Sequence, residues 1–394
     1  MRVPLPYRIF LPRITGRGPK PLPRYPGCID EARRMISLLT FVFVLGLLIT
    51  VHECGHFFAA KRQGIAVEKF YLGFGPTVFR KKQGETEYGI NLIPLGGFVK
   101  LAGDSAQEHR HTPREYLSKT PLQRMAVIFA GPLANYLLGF FFFWLIFVTG
   151  YPTLTAKVGG LVDGFGAQAA GVQEGDIITH IDGRKISSWD ELLEEVRSRK
   201  GARALMLTLQ RGQDNLQVEV PLRRQEMDDI LGYRRTVPLL GVTPAMEEFV
   251  EVRHGFGVSL FLAARKVIDL TALNYRALFA MVSGRLSMRE SATGPLGIFF
   301  VTSKAARIGL TAVLHLIAVL NVSLAIFNLL PLPVLDGGHV LFLAIEKLRG
   351  RSLSPKTEQI ATQAGLALII TLALMVTYND IVRFFGEKIS HLFR

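Results

Sequence analysis

The sequence predicts a polytopic α-helical membrane protein of about four transmembrane helices, with a β-hairpin element and one inserted α+β domain. Three observations carry that prediction. Hydrophobic residues make up 49% of the 394 positions, and the mean hydropathy is positive. Four segments have the length and apolarity of bilayer spans. A glycine-rich stretch of short alternating runs separates the second span from the third.

The spans fall at residues 36–60, 125–148, 310–330 and 360–377. Residues 256–282 form a further apolar helix, but Arg265, Lys266, Asp269 and Arg276 make it interfacial or packed in a bundle rather than spanning. Residues 67–101 alternate as short strands with glycine turns, either a plain hairpin or an edge able to receive an extended peptide. The inserted domain covers residues 152–245. It has an Asp182-Gly183 turn, an amphipathic helix over 189–199 and strands over 204–210 and 216–222. The membrane core is thereby divided into halves at 35–151 and 246–394.

Charge placement excludes nucleic acid as a partner. Of the formal +14, residues 1–34 carry eight Lys/Arg against two acids, and residues 61–124 carry eleven against six. Residues 150–255 have thirteen against sixteen. Basic charge thus flanks apolar runs, as the positive-inside rule expects, and no nucleic-acid-binding motif accompanies it. Four spans put both termini on one side, the basic loops 61–124 and 340–359 in the cytoplasm and the acidic inserted domain outside. Residues 1–34, with seven prolines, run against that bias. Rich in proline and without an apolar run, they are expected to be disordered; the charge bias is resolved if Met35 is the true start or, failing that, if they are a flexible tail. Two cysteines, Cys28 and Cys54, make no disulfide framework.

The chemistry lies in His52-Glu53-Cys54-Gly55-His56, an H-E-x-x-H pattern. On a helix, residues four apart share a face, so both imidazoles can reach one tetrahedral metal. Glu53 stands beside the first ligand, where it can take a proton from water. The five-residue pattern alone also fits ordinary surface helices. Here it follows an apolar run, and a charge at membrane depth costs roughly 3 kcal/mol on insertion scales, a cost that an ion site offsets. The run spans about 24 Å of a hydrocarbon layer about 30 Å thick, which places the site inside the membrane near its cytoplasmic face.

A third ligand is needed, and Asp336 is the candidate, closing the segment Asn328-Leu329-Leu330-Pro331-Leu332-Pro333-Val334-Leu335-Asp336-Gly337-Gly338. Two prolines break that segment, and broken backbone at membrane depth lines a cavity or is packed in protein. The alternative, which would be preferred without the upstream H-E-x-x-H, is that Asp336 caps the helix that starts near Gly337. Asn328 is a buried amide in need of a partner, either in the site or in an interhelical hydrogen bond.

With these residues in view, the chain from Met35 onward resembles the bacterial site-2 proteases, intramembrane zinc metalloproteases that include the regulator of sigma-E protease. The resemblance rests on His52 to His56, on Asn328 to His339, on Gly73-Phe74-Gly75, on Asn91 to Val99, and on Gly294-Pro295-Leu296-Gly297-Ile298. It implies one zinc ion per chain held by His52, His56 and Asp336, with Glu53 activating water. It also implies that residues 67–101 are a membrane-associated β-element, and that Asn328 and the Gly73-Phe74-Gly75 loop support substrate or transition state.

Ser323 stands where the regulator of sigma-E protease has a second asparagine. The inserted domain resembles one PDZ domain where that enzyme has two, and it would either bind a peptide or exclude bulky substrates. The implied setting is the bacterial inner membrane with a periplasmic PDZ domain. The implied substrates are single-span proteins such as anti-sigma factors or signal-peptide remnants. A rival reading, a proteolytically inactive scaffold working through its PDZ domain, predicts that Glu53 or a ligand is missing.

Overall fold

The structure, a computed structural model, describes residues 28–105, 107–199, 201–229, 231–287 and 293–392; the expectations for residues 1–27 lie outside these. Helix α1 (Cys28–Arg62) carries the first span. It begins ahead of Met35, so residues 28–34, expected as part of a disordered extension, are helical. The reason is local: Glu31, Ala32, Arg33 and Arg34 are good helix formers, and no proline lies between Pro26 and the end of the helix at Arg62.

Strands β1 (Val67–Gln83) and β2 (Thr86–Leu101) form one long antiparallel hairpin in place of several short strands. The hairpin bends on itself, so residues 69–72 match both 97–100 and 87–90. Gly73 and Gly75 sit at φ near +86° and +85°, a conformation that side chains resist, and turn the strand there. Asn91 fastens the bend, donating from Nδ2 to the Gly73 carbonyl and accepting from Thr77 Oγ1, each at 2.9 Å.

Helix α2 (Pro121–Thr149) is the second span. There follow β3 (Tyr151–Leu154), β4 (Val158–Leu161), α3 (Gly166–Ala169), β5 (Ile177–Ile181), β6 (Arg184–Lys185), α4 (Trp189–Ser198), β7 (Ala204–Arg211) and β8 (Asp214–Pro221). Strands β9 (Arg223–Asp228), β10 (Arg234–Leu239), β11 (Val242–Pro244) and β12 (Phe249–Val252) complete the inserted region. The chain ends in α5 (Phe256–Val282), α6 (Pro295–Ile308), α7 (Leu310–Asn328), α8 (Asp336–Arg349) and α9 (Pro355–Leu392). Among the described residues, helices α1, α2, α7 and α9 are the four long and apolar enough to cross a membrane, and α5 is not among them. Apolar side chains such as Leu39, Leu137 and Leu374 remain exposed on them, as a lipid-facing surface requires.

Contacts divide the described chain into two compact units, one of residues 147–256 with 276–286, the other holding the remainder. In the first, β6-β5-β7-β8 make a four-stranded sheet. Leu205, Leu207 and Leu209 alternate inward from β7 and pack with Ile178, Ile181, Leu192 and Val220. Asp182, at φ +47°, and Gly183, at +80°, make the tight turn between β5 and β6. Ser188 caps α4 by accepting from the Glu191 N–H. Beyond residue 245, β12 pairs with β3, so the inserted unit closes on its own entering strand.

In the second unit, Arg124 of α2 pairs with Glu346 of α8, tying two elements 222 residues apart. Asp380 of α9 is fully buried and accepts from the Gly297 N–H at 2.9 Å, so its carboxylate meets the first turn of α6. A Cβ on Gly294 would lie 2.7 Å from that carboxylate, which explains why glycine precedes Pro295.

One ion pair of the inserted unit yields a stability prediction. Arg211 grips Asp176 with two hydrogen bonds of 2.8 and 2.9 Å, and Asp176 is 1% exposed. The guanidinium, above all, holds the Asp176 carboxyl below its ordinary value against the opposing effect of burial, and the Gln173 N–H assists. A depressed carboxyl stabilises the fold above its unfolded value, about 3.9, and that stabilisation is lost as pH falls through the folded value. Arg211→Met is therefore expected to destabilise the unit by about 2–3 kcal/mol at pH 7, with the difference from wild type shrinking below about pH 4. Urea titration of the full chain carrying Trp144→Phe reads this directly, because Trp189 in the unit's core is then the only tryptophan.

Candidate metal centre

His52 and His56 project from α1 one turn apart, and Asp336 reaches them from the start of α8. His52 Nε2 lies 3.2 Å from His56 Nε2, and Asp336 Oδ2 lies 3.1 Å from the first and 3.6 Å from the second. Ligand bonds of about 2.05 Å at tetrahedral angles place donor atoms about 3.3 Å apart, so this spacing matches zinc. Two imidazole nitrogens and one carboxylate oxygen are also the donor set of a hydrolytic zinc site with one position left open. Among the described residues, this is the only group of three or more His, Cys, Asp or Glu able to hold a metal. Asp336 Oδ2 is buried without a hydrogen-bond partner, as an oxygen aimed at an ion should be.

The helix-cap alternative for Asp336 does not describe what is seen. Leu335 is the N-cap of α8, and Asp336 occupies the first helical position with its carboxylate turned to the imidazoles. The glycines after it allow this. A Cβ on Gly337 would lie 2.3 Å from the Leu329 carbonyl oxygen, and one on Gly338 would lie 2.1 Å from that of Leu332. The proline-broken loop is thus folded tightly against the first turn of α8.

Asn328 ends α7 with its amide nitrogen 3.4 Å from His52 Nε2, so it stands at the metal-facing side of the cluster. Glu53 lies on the neighbouring face of α1. Its Cγ would be 3.1 Å from a Cβ on Gly97, so β2 passes directly beside it. In the Gly73-Phe74-Gly75 loop, Phe74 packs over Gly96, where a Cβ would meet its ring, and the two glycines bend the strand. His339 packs edge-on against Phe342, and His315 against Phe143, each in an aromatic contact. Cys54 is free.

Three groups that sequence reasoning passed over complete the surroundings, all on one stripe of α2. The Val127 carbonyl lies 3.0 Å from His56 Nδ1. The amide of Asn135, which is fully buried, lies 3.3 Å from His52 Nδ1. Between them sits Gly131, where a Cβ would be 2.4 Å from His56 Nε2 and 2.9 Å from His52 Cε1. Gly131 also bares the Val127 carbonyl, whose helical partner it is, to a second donor. The signal was present: Asn135 is a lone amide in an apolar run, like Asn328.

Known proteins are similar to this chain over most of its length. The sequence pattern of peptidase family M50 matches residues 40–372. Zinc metalloprotease RasP of Geobacillus kaustophilus is 30% identical over 429 residues, spanning 89% of this chain and 98% of that one. Protease RseP of Yersinia pestis is 30% identical over 455 residues, spanning 88% and 98%. Among solved structures, the PDZ domain of the SdrC-like protein of Listeria monocytogenes is 24% identical with a TM-score of 0.20, covering 24% of this chain and 88% of that domain.

Gly131→Ala tests whether the imidazoles depend on that gap. Its methyl group can fit only if both rings move, so zinc affinity is expected to fall about tenfold or more. Isothermal titration of zinc into the stripped full-length protein in detergent checks it.

Proposed function

The chain belongs to peptidase family M50, the site-2 protease family, and is a zinc metalloprotease; from that premise we propose that His52, His56 and Asp336 hold the zinc and that Glu53 is the general base of peptide hydrolysis within the membrane. The observation that carries the assignment is the convergence of His52 Nε2, His56 Nε2 and Asp336 Oδ2 to within 3.1–3.6 Å. Bound zinc supplies Lewis acidity, making water acidic near neutral pH and polarising the scissile carbonyl. Glu53 accepts the proton released from the attacking water and delivers it to the departing amine nitrogen. The Asn328 amide, at the same face of the cluster, donates to substrate carbonyl oxygen as charge develops there.

An extended substrate is positioned by strand addition. Residues 97–100 pair on one side with 69–72, and no other strand among the described residues pairs with their outer edge. Gly97 brings β2 to Glu53 with no side chain between. A transmembrane substrate must unwind before its peptide bonds are exposed, and a strand template stabilises the unwound segment through backbone hydrogen bonds. The substrates are single-span membrane proteins such as anti-sigma factors or signal-peptide remnants. The acidic unit between the second and third spans faces the periplasm, as the basic loops 61–124 and 340–359 on the other side support. It contacts substrate domains or peptides there.

Glu53→Gln separates chemistry from metal binding. Zinc content is expected to stay at one per chain while cleavage of a single-span reporter in proteoliposomes falls by about 10² to 10⁴. Cleavage at the wild-type rate would overturn the role of Glu53. Asp336→Asn is expected to weaken zinc binding itself, because it replaces an anionic ligand with a neutral amide; retention of wild-type affinity by metal titration would remove Asp336 from the ligand set.

A further inference from the structure

A neutral imidazole that binds a metal through Nε2 carries its proton on Nδ1, and that N–H needs an acceptor. In His56 the need is met by the Val127 carbonyl at 3.0 Å. In His52, whose Nε2 faces His56 and Asp336, the one hydrogen-bonding neighbour of Nδ1 among the described residues is the Asn135 side chain at 3.3 Å. The atom placed there is the amide nitrogen, a donor, while Asn135 Oδ1 is buried with no partner. The clash of donor with donor is resolved by one half-turn of the amide about its terminal bond. The turn leaves the shape of the side chain unchanged and sets Oδ1 against the Nδ1–H.

We propose that Asn135 is a positioning residue for the zinc site, its Oδ1 accepting the Nδ1–H of His52 as the Val127 carbonyl accepts that of His56. The proposal rests on the assignment of His52 and His56 as ligands. Val127, Gly131 and Asn135 are spaced by four, so one face of α2 presents acceptor, gap and acceptor to the two imidazoles of α1. Asn321 shows the contrast. It is also fully buried, but its amide nitrogen bonds to Ile317 of its own helix at 2.8 Å, an ordinary local contact. Asn135 reaches instead across to another helix and to a ligand. Fixing the tautomer and tilt of His52 keeps its Nε2 lone pair aimed at the metal, and such partners are typically worth about 10- to 100-fold in metal affinity.

The test uses the full-length protein in detergent and measures zinc affinity by chelator competition, with thermal midpoints recorded in excess chelator. Asn135→Leu keeps the volume and removes the acceptor. It is expected to weaken zinc binding about 10- to 100-fold while the zinc-free midpoint changes little. Asn135→Ala removes the acceptor with less demand on packing and should weaken zinc binding similarly. Asn135→Asp offers only acceptors and is expected to restore affinity to at least the wild-type level. Wild-type affinity in both acceptor-free variants would overturn the proposal. So would an Asp variant as weak as the Leu variant, because the amide N–H would then be the group in use. His52→Ala, measured alongside, keeps the two readings apart: if it binds zinc as wild type does, the ligand assignment has failed rather than the role of Asn135 alone.

Discussion

Two imidazoles and a carboxylate meet between largely apolar helices, and in such surroundings each of them needs a partner. A lone carboxylate at that depth would be strongly disfavoured, as would a lone charged imidazole. Drawn to within 3.6 Å of one another, they answer each other's charge and form a cradle for a divalent ion. The rest of the membrane unit is arranged by this need. Helix α1 supplies two donors, α8 supplies the third, and α2 holds the imidazoles from behind. The ion pair of Arg124 with Glu346 ties α2 to the helix whose first residue is Asp336.

Close approach of the helices is what makes the meeting possible. Lipid offers no hydrophobic drive for helices to associate, so they pack through small residues and polar contacts. Gly55 lies so near α2 that a Cβ would be 2.2 Å from the Ala130 carbonyl oxygen, and one on Gly139 would lie 2.7 Å from a Val322 methyl and 3.1 Å from the Ala318 carbonyl oxygen of α7. These glycines keep the backbones near enough for side chains of modest length to meet across them. The same economy governs β2, where Gly97 lets a strand pass against Glu53.

Much of the centre was legible in the sequence because its chemistry is local. His52 and His56 lie on one helical face by their spacing alone, and Glu53 is defined by its place between them. Asp336 was ambiguous until the fold turned its carboxylate away from the helix end, because a sequence does not say which way an acid at a helix start points. The four spans and the α+β build of the inserted unit follow from hydropathy and from turn chemistry at Asp182-Gly183. The bent hairpin, the helical residues 28–34 and the α2 stripe did not emerge. The first depends on which strand segments find each other, and the last on a backbone carbonyl, which has no letter of its own. Asn135 was the exception, a polar residue visible in the apolar run but without a stated partner until α1 and α2 were set side by side.

The distance between Asp336 and the histidines along the chain has a consequence for biogenesis. His52 and Asp336 are 284 positions apart (336 minus 52), and the three donors come together only across that interval. At ordinary rates of synthesis, about 5 to 20 residues per second, the first helix exists for roughly 15 to 60 s before its third partner has been made. Throughout that interval the nascent chain holds two thirds of a metal cradle and cannot close it. The order of residues along the polypeptide thus acts as a timer, keeping the centre open until the helices that enclose it have been synthesised.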